Sequence, residues 1–474
     1  MEHIVSIDEL HSRKVVRSKA CEGSSSRNRP AITREERFRN FMDEGDQERK
    51  VEALGGRPPA KIQKVIFLLR DHKHFVKYFE PRVASIGPIH HGKPKYQLGE
   101  KYKLRLAYEF VQGCGKSINL LYEVEKKIKQ LREFFEEEVI EKYDDEALAW
   151  ILFVDGCAIL QYILCATNDQ FKELNIKTDS VAFAHQDLFL LENQVPYRLL
   201  KLLMSLSGKE EELRKSIESF IRNVTYQQTE PQQNVDEGES SHDSQPEPIE
   251  REVPITEPTH LLDLMRTTLL GPTPLRSSKV VPSFGKTRGI WPCRNTRQED
   301  PDWQSYRNVQ ELKAAGIHLK RGKESCLRSI NDSTGPKFMN LIAYEMCLDF
   351  ENDFGISSYI SFLDSLIDEV NDVKDMRKVQ VLYNLLGSDQ EVADLFNEIG
   401  TDLVPNTEAY KDVKFKIQSY YNNNCMTYMA QFFHDHFSSP WTILAFLGVL
   451  LGLALTALQT WSAIFPHSFD KAKN

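Results

Sequence analysis

The sequence predicts a mostly α fold: a helical bundle domain in two halves with a single transmembrane helix near the C-terminal end. Three observations carry that reading. A run without Asp, Glu, Lys or Arg extends from Phe437 to Pro466. Apolar residues recur at helical spacing through much of the chain. Strand-like alternation is scarce, and only the segments around Ile317 to Lys320 and Cys326 to Ile330 offer a brief pairing.

Residues 1–58 are rich in Ser, Arg and Glu with little apolar periodicity, the composition of a disordered tail. The basic cluster there, Arg13, Lys14, Arg17 and Lys19, reads as solvated chain rather than a lipid contact. Residues 59–226 form the first helical half. Leu104, Tyr108, Val111, Ile118 and Tyr122 step at helical intervals, and Ile128, Leu131, Phe135 and Val139 continue the apolar stripe with Lys126, Lys127 and Glu137 off it. Long amphipathic helices follow, broken or bent near Gly113 and Gly115.

The next stretch, EALAWILFVDGCAILQYILCA, is apolar nearly all round. Asp155, Gly156 and Gln161 in its middle argue against insertion in lipid, where a central carboxylate costs about 2.5 to 3.5 kcal/mol. It therefore reads as the central buried helix of the bundle. Asp155 then needs a lysine, an arginine or backbone amides as partner. In HQDLFLLENQVPYRLLKLLMSL, Pro196 follows an apolar run and bends or restarts the helix.

Residues 227–258 are acidic and proline-punctuated, a flexible linker or long surface loop. The second half, residues 259–436, opens with HLLDLMRTTLL and crosses a Pro-, Gly- and Arg-rich loop from Gly271 to Pro301. Helices return in FMNLIAYEMCLDF, YISFLDSLIDEV and MRKVQVLYNLLG. Residues 437–466 are the membrane helix and 467–474 a short tail. Trp441 and Trp461 lie roughly 30 Å apart along such a helix, about the hydrocarbon thickness, which sets one indole at each lipid–water boundary.

The first residues, MEHIVSIDELHSRK, lack the apolar stretch and cleavage site of a secretory signal. With only HSFDKAKN after the span, the expectation is a single-pass, tail-anchored protein of the plasma membrane or an endomembrane, with its large domain in the cytosol. Lys471 and Lys473 favour the opposite orientation, diluted by Asp470. The sequons at Asn223 and Asn331 test the point, since only a lumenal domain is glycosylated there. A net charge of −9 without a basic excess excludes nucleic acid as an expected partner. The eight cysteines (Cys21, Cys114, Cys157, Cys165, Cys293, Cys326, Cys347, Cys425) form no CxxC pair and read as reduced residues, most of them on apolar helical faces.

Eight blocks occur in a fixed order: SIGPIHHGK from Ser85, FVDGCAIL from Phe153, DLFLLENQVP from Asp187, HLLDLMR from His260, ELKAAGI from Glu311, NLIAYEMC from Asn340, LLGSDQEVADLFN from Leu385 and PWTILAFL from Pro440. Together they resemble the plant family called domain of unknown function 247, over roughly Ile62 to Phe465. The resemblance implies a mostly helical domain ending in one transmembrane helix, with no biochemical activity known for most members. It also brings in the grass self-incompatibility loci, where members look like pollen-side determinants of self recognition. Two departures stand out: a short interval between ELKAAGI and NLIAYEMC, which reduces any small β element, and Ile89 where an aromatic is more usual.

Candidate chemistry is thin. Adjacent His90 and His91 in a Gly/Pro loop have the donors for a metal or phosphate, but neighbouring side chains point apart and no CxxC or HExxH completes a site, so loop-anchoring hydrogen bonds are expected. His185, Asp187, Glu192, His260 and Asp263 would suffice for metal-assisted hydrolysis if folding gathered them. Their spacing does not show this, and Glu192 and Asn193 read as groups satisfying helix ends at the proline bend. No GxSxG, P-loop, Rossmann or kinase signature appears, so no catalytic, cofactor or metal residue is assigned and no enzyme is expected. Within the anchor, Gly448, Gly452, Thr456 and Gln459 share one helix face where a second helix, including that of another copy, can approach. The functional expectation is a membrane-anchored, non-enzymatic module that binds a protein partner the sequence does not identify, with the His/Asp/Glu hydrolase as the alternative.

Overall fold

The computed structural model describes residues 60–71, 73–115, 118–172, 174–226, 257–271, 308–321, 329–350, 353–401, 403–406, 408–421 and 440–464, together with Thr33, Phe38, Arg39, Met42 and Asp43. The 227–256 stretch, most of the tail over 1–58, the loop from 272, residues 467–474 and Cys21, Cys293, Cys326 and Cys425 lie outside the described residues. The chain divides into residues 1–58 and a second unit, 59–474, that holds every element named below.

Short helices α1 (Phe67–Arg70) and α2 (Phe75–Phe79) lead into α3 (Gln97–Gly113), α4 (Asn119–Arg132) and α5 (Glu137–Ile140). Helix α3 stops where the sequence expected a break, with Gly115 at φ +77°, a backbone that glycine adopts without cost. The long α6 (Asp145–Asn168) follows. Asp144 caps its start by accepting the Ala147 amide at 2.8 Å, and Asp169 ends it in the left-handed conformation. Helix α6 is long and apolar enough to cross a membrane, yet 83% of its apolar window is buried inside the protein. Helices α3 and α4 pack on it, as do α8 (Tyr197–Leu206) and α9 (Glu210–Tyr226). Gly156 permits the close approach of α8, since a Cβ there would stand 2.6 Å from Leu203 Cδ1. Between them lies α7 (Thr178–Asp187), and Pro196 restarts the chain at α8 as its N-cap.

Beyond the undescribed stretch come α10 (Leu261–Leu270), α11 (Val309–Ala314), α12 (Thr334–Glu345), α13 (Gly355–Asp364), α14 (Val370–Lys378), α15 (Asp389–Ile399) and α16 (Lys411–Tyr421). One hydrophobic core runs from Ala60 through Leu152 and Leu262 to Phe396. Polar bonds cross the same boundary: Asn340 of α12 donates to the Tyr78 carbonyl at 2.7 Å and accepts the Leu191 amide at 2.8 Å. Lys337 also ties α12 to the last turn of α9 by donating to the Val224 carbonyl at 3.0 Å.

Two expectations fail. MRKVQVLYNLLG is not one helix: α14 ends at Lys378, Gln380 takes φ +58°, and the β-prone run that follows gives a strand, Tyr383–Asn384 (β2). Strand β1 (Ser329–Ile330) pairs with β2 in parallel, and not with Ile317–Lys320, which is irregular. The apolar stripe is also divided. Ile128, Leu131, Phe135 and Val139 are buried, but Leu104, Tyr108, Ile118 and Tyr122 are each more than half exposed. Helix α3 turns Gly99, Lys103, Leu106, Ala107 and Phe110 inward instead. Of the cysteines described, Cys157, Cys165 and Cys347 are buried free thiols and Cys114 is half-buried. Finally, α17 (Pro440–Ile464) is long and apolar enough to cross a membrane, and none of its apolar window is buried against protein.

Candidate functional site

Buried polar side chains converge on the loop over residues 80–93, which carries the SIGPIHHGK block. A buried loop must find partners for its amides, and here three side chains supply them. Asp187, closing α7, accepts the amides of Arg82 and Val83 at 2.8 Å each and of Ala84 at 2.9 Å. Asn193 accepts the Ile86 amide at 2.7 Å and donates to the Ala84 and Asp187 carbonyls at 3.0 and 2.8 Å. Asp155 Oδ2 accepts the Gly87 amide at 2.7 Å. Gly87 itself has φ +69°, and a Cβ there would overlap the Gln194 carbonyl oxygen.

The partner that Asp155 required is Lys103. Its Nζ lies 2.5 Å from Asp155 Oδ1, 2.5 Å from the Ser85 carbonyl oxygen and 2.9 Å from Glu100 Oε1. Burial works against the lysine charge, but the carboxylates of Asp155 and Glu100 outweigh it and hold the Lys103 pKa above the ordinary lysine value. Lysine 103 escaped the sequence reading. The available signal was its place on the apolar face with Gly99, Leu106 and Phe110, where a charge demands an explanation. The Arg266–Glu345 pair was equally hidden: Arg266 donates to Glu345 at 2.8 Å while Glu345 accepts the amides of Ile356 and Ser357 at the start of α13.

From this pinned loop His90 and Lys93 face an open cleft of about 350 Å³, floored by Ile89 and Val139. His90 is buried, with Nε2 at 3.2 Å from Glu192 Oε2. Lys93 Nζ stands 2.7 Å from His90 Nδ1, on the ring edge opposite the one that faces Glu192. Glu192 also accepts the Val65 amide and Arg70, both at 2.9 Å. Burial opposes its charge, yet His90, the Val65 amide and Arg70 together hold its carboxyl below the usual glutamate range. His91 lies against the Tyr143 ring, 6.2 Å between centroids.

The hydrolase set is distributed among separate tasks. Asp187 and Glu192 bind the loop amides just described, while His185 packs on the Phe220 ring at 4.7 Å, where burial lowers its pKa to about 4. His260 caps α10 by accepting the Asp263 amide at 3.1 Å, and burial lowers its pKa to about 3. Asp263 accepts the Thr259 amide at 2.9 Å. Among the described residues no three His, Cys, Asp or Glu side chains come together to hold a metal.

Two surfaces remain open. On either side of the turn after Gly113, α3 exposes Leu104 and Tyr108 and the start of α4 exposes Ile118 and Tyr122. Along α17, Trp441 and Trp461 are exposed near its two ends, and a Cβ at Gly448 or Gly452 would meet nothing within 4 Å. Thr456 on the same face donates to the Gly452 carbonyl at 2.8 Å, and the Gln459 carbonyl accepts Ser462 at 3.2 Å.

The family model DUF247, a plant protein of unknown function, matches residues 62–455. The chain belongs to DUF247. Two curated Arabidopsis thaliana relatives resemble this DUF247 chain along most of their length. The UPF0481 protein At3g47200 is 27% identical over 92% of this chain and 93% of its own. The putative UPF0481 protein At3g02645 is 22% identical over 82% and 87%. No solved structure matches the chain. The blocks that carried the resemblance supply most of the buried polar groups described above, among them Asp155, Asp187, Asn193, His260, Arg266, Asn340 and Glu345, whereas Lys103 lies outside them.

Proposed function

We propose that this DUF247 chain is a membrane-anchored, non-enzymatic protein-interaction module whose contact face is the apolar surface of α3 and α4. The observation that carries this reading is the outward turn of Leu104, Tyr108, Ile118 and Tyr122, residues whose spacing marks an apolar helix face. Exposed apolar side chains on a soluble body cost free energy, and a partner that covers them recovers about 25 cal/mol per Å² buried. In this reading α17 crosses a lipid bilayer once, Trp441 and Trp461 mark the two interfaces, and the helical body stands in the cytosol. The small-residue face through Gly448 and Gly452 then pairs two copies within the membrane. Self/non-self recognition is one form of such binding, supported by the family resemblance alone.

Proximity labelling from the native membrane tests the contact face. Wild type and the double variant Leu104→Glu/Tyr108→Glu are compared, with membrane fractionation as control. Loss of specific labelled proteins from a still-anchored variant is expected. An unchanged set refutes the assignment of that face, and full-length wild type left in the supernatant of a detergent-free high-speed spin refutes the anchor.

A further inference from the structure

We propose that the cleft beside His90 is a binding site for a small phosphate-bearing ligand. Among the described residues four cations line it, Lys64, Arg70, Lys93 and Lys142, against two carboxylates, Glu138 and Glu192. Two of the cations are already matched: Lys64 pairs with Glu138 at 2.6 Å and Arg70 with Glu192 at 2.9 Å. The other two are not. Lys93 Nζ lies beside His90 Nδ1 at 2.7 Å, with no carboxylate partner among the described residues, and Lys142 lies over the Tyr143 ring at 4.7 Å. The cleft therefore keeps two positive charges in excess on a chain whose net charge is −9. Such a local reversal of sign concentrates anions against the field of the whole molecule.

Geometry favours a compact anion over a long acidic chain. The space is about 350 Å³, several times a phosphate, and its floor of Ile89 and Val139 suits an apolar or sugar-like body attached to the charged group. Preorganisation comes from beneath. Lys93 belongs to the loop whose amides are held by Asp187, Asn193 and Asp155, so one binding lysine is carried by a backbone tied to the core. Behind the lysine, the buried His90 ring has its other nitrogen 3.2 Å from the buried Glu192 carboxylate. This use of the HH pair differs from ligation: His90 orients Lys93, and the lysines take the oxygens.

The phosphate has two conceivable carriers, a soluble metabolite or an anionic lipid headgroup, and the test separates them. Full-length protein in neutral-detergent micelles is titrated calorimetrically with inorganic phosphate and with glycerol 3-phosphate. In a second arm the protein is reconstituted into phosphatidylcholine nanodiscs with and without phosphatidic acid, and its thermal midpoint is read. Saturable binding is expected to weaken about tenfold in Lys93→Gln/Lys142→Gln, both exposed positions, and to be unchanged in Lys215→Gln on the distant surface of α9. Binding only in the first arm assigns a soluble ligand, and stabilisation only by phosphatidic acid assigns a headgroup. No saturable binding in either arm, equal binding by the double variant, or an equal loss in Lys215→Gln overturns the proposal. The thermal midpoint of each ligand-free variant shows that the fold is retained, and a Lys93→Arg/Lys142→Arg variant, which keeps both charges, is expected to bind.

Discussion

Removing the Lys103 charge tests how the central helix is held. In Lys103→Met the stem stays roughly in place while the head group disappears from a site where its own side chain is 6% exposed and that of Asp155 only 1%. Asp155 then retains the Gly87 amide at 2.7 Å and loses the cation at 2.5 Å. An uncompensated buried carboxylate of this kind costs about 3 to 5 kcal/mol, against a total stability of about 5 to 15 kcal/mol for a domain. The deficit must also depend on pH. Burial already raises the Asp155 pKa with Lys103 in place, and losing the lysine raises it further above the unfolded value near 3.9, so stability is lost as pH rises and partly restored as the carboxyl protonates in acid. Urea unfolding of full-length protein in neutral detergent, followed by tryptophan fluorescence with Trp150 on the same helix, reads both effects. The double variant Lys103→Met/Asp155→Asn removes both charges and keeps an acceptor for the Gly87 amide. It should be more stable than Lys103→Met alone. A single-variant loss below about 1 kcal/mol, or a double variant that loses the sum of the two singles, refutes the buried pair as described.

Further consequences are open to measurement. His260 is fully buried with a pKa lowered to about 3, while an unfolded histidine takes its proton near 6.5. Stability is therefore complete above that value and falls in acid, by about 2 kcal/mol for this residue between pH 7.5 and 5. His260→Asn preserves a side-chain cap and should show a pH dependence shallower by that amount in urea titrations; an identical slope counts against the neutral buried imidazole. Gly87→Ala forces a left-handed backbone and a clash with the Gln194 carbonyl, so a loss of about 2 kcal/mol or more by calorimetry is expected, and a neutral result contradicts the loop geometry. Replacing Gly452 by Leu should abolish self-association of α17 in a membrane reporter assay, and unchanged association dismisses pairing through that face. Glycosidase-sensitive mobility of the native protein, from Asn223 or Asn331, overturns the cytosolic orientation.

Periodicity and composition were sufficient wherever a segment's environment is uniform. Helix α6 announces itself because it is apolar on every side and carries one misplaced carboxylate, and α17 because it lacks charge altogether. Stop signals are local as well, which is why Gly113, Gly115 and Pro196 mark breaks that the structure keeps. What needs two distant segments was not legible. The stripe through Leu104 and Tyr108 has the period of a helix, but the period does not say which face turns inward, and Gly99 lies on the inner face where a Cβ would overlap the Val83 carbonyl. Partner choice is similar: Asp155 demanded a cation or backbone amides, and only the fold selected Lys103, 52 residues away, and the Gly87 amide. The same holds for Asp187, Glu192 and His260, whose chemistry suited a catalytic cluster until tertiary contacts assigned each to a different backbone or ring. The division into halves followed from the acidic tract between them, while the hydrophobic core draws residues from both sides of it, because burying apolar surface is blind to chain order. Sequence alone thus determined most of the helices, the breaks marked by glycine and proline, and the apolar C-terminal rod, all properties of short windows. Which faces are covered, which charges are matched and where a charged cleft remains were decided by packing, since those depend on residues that meet only when the chain is folded.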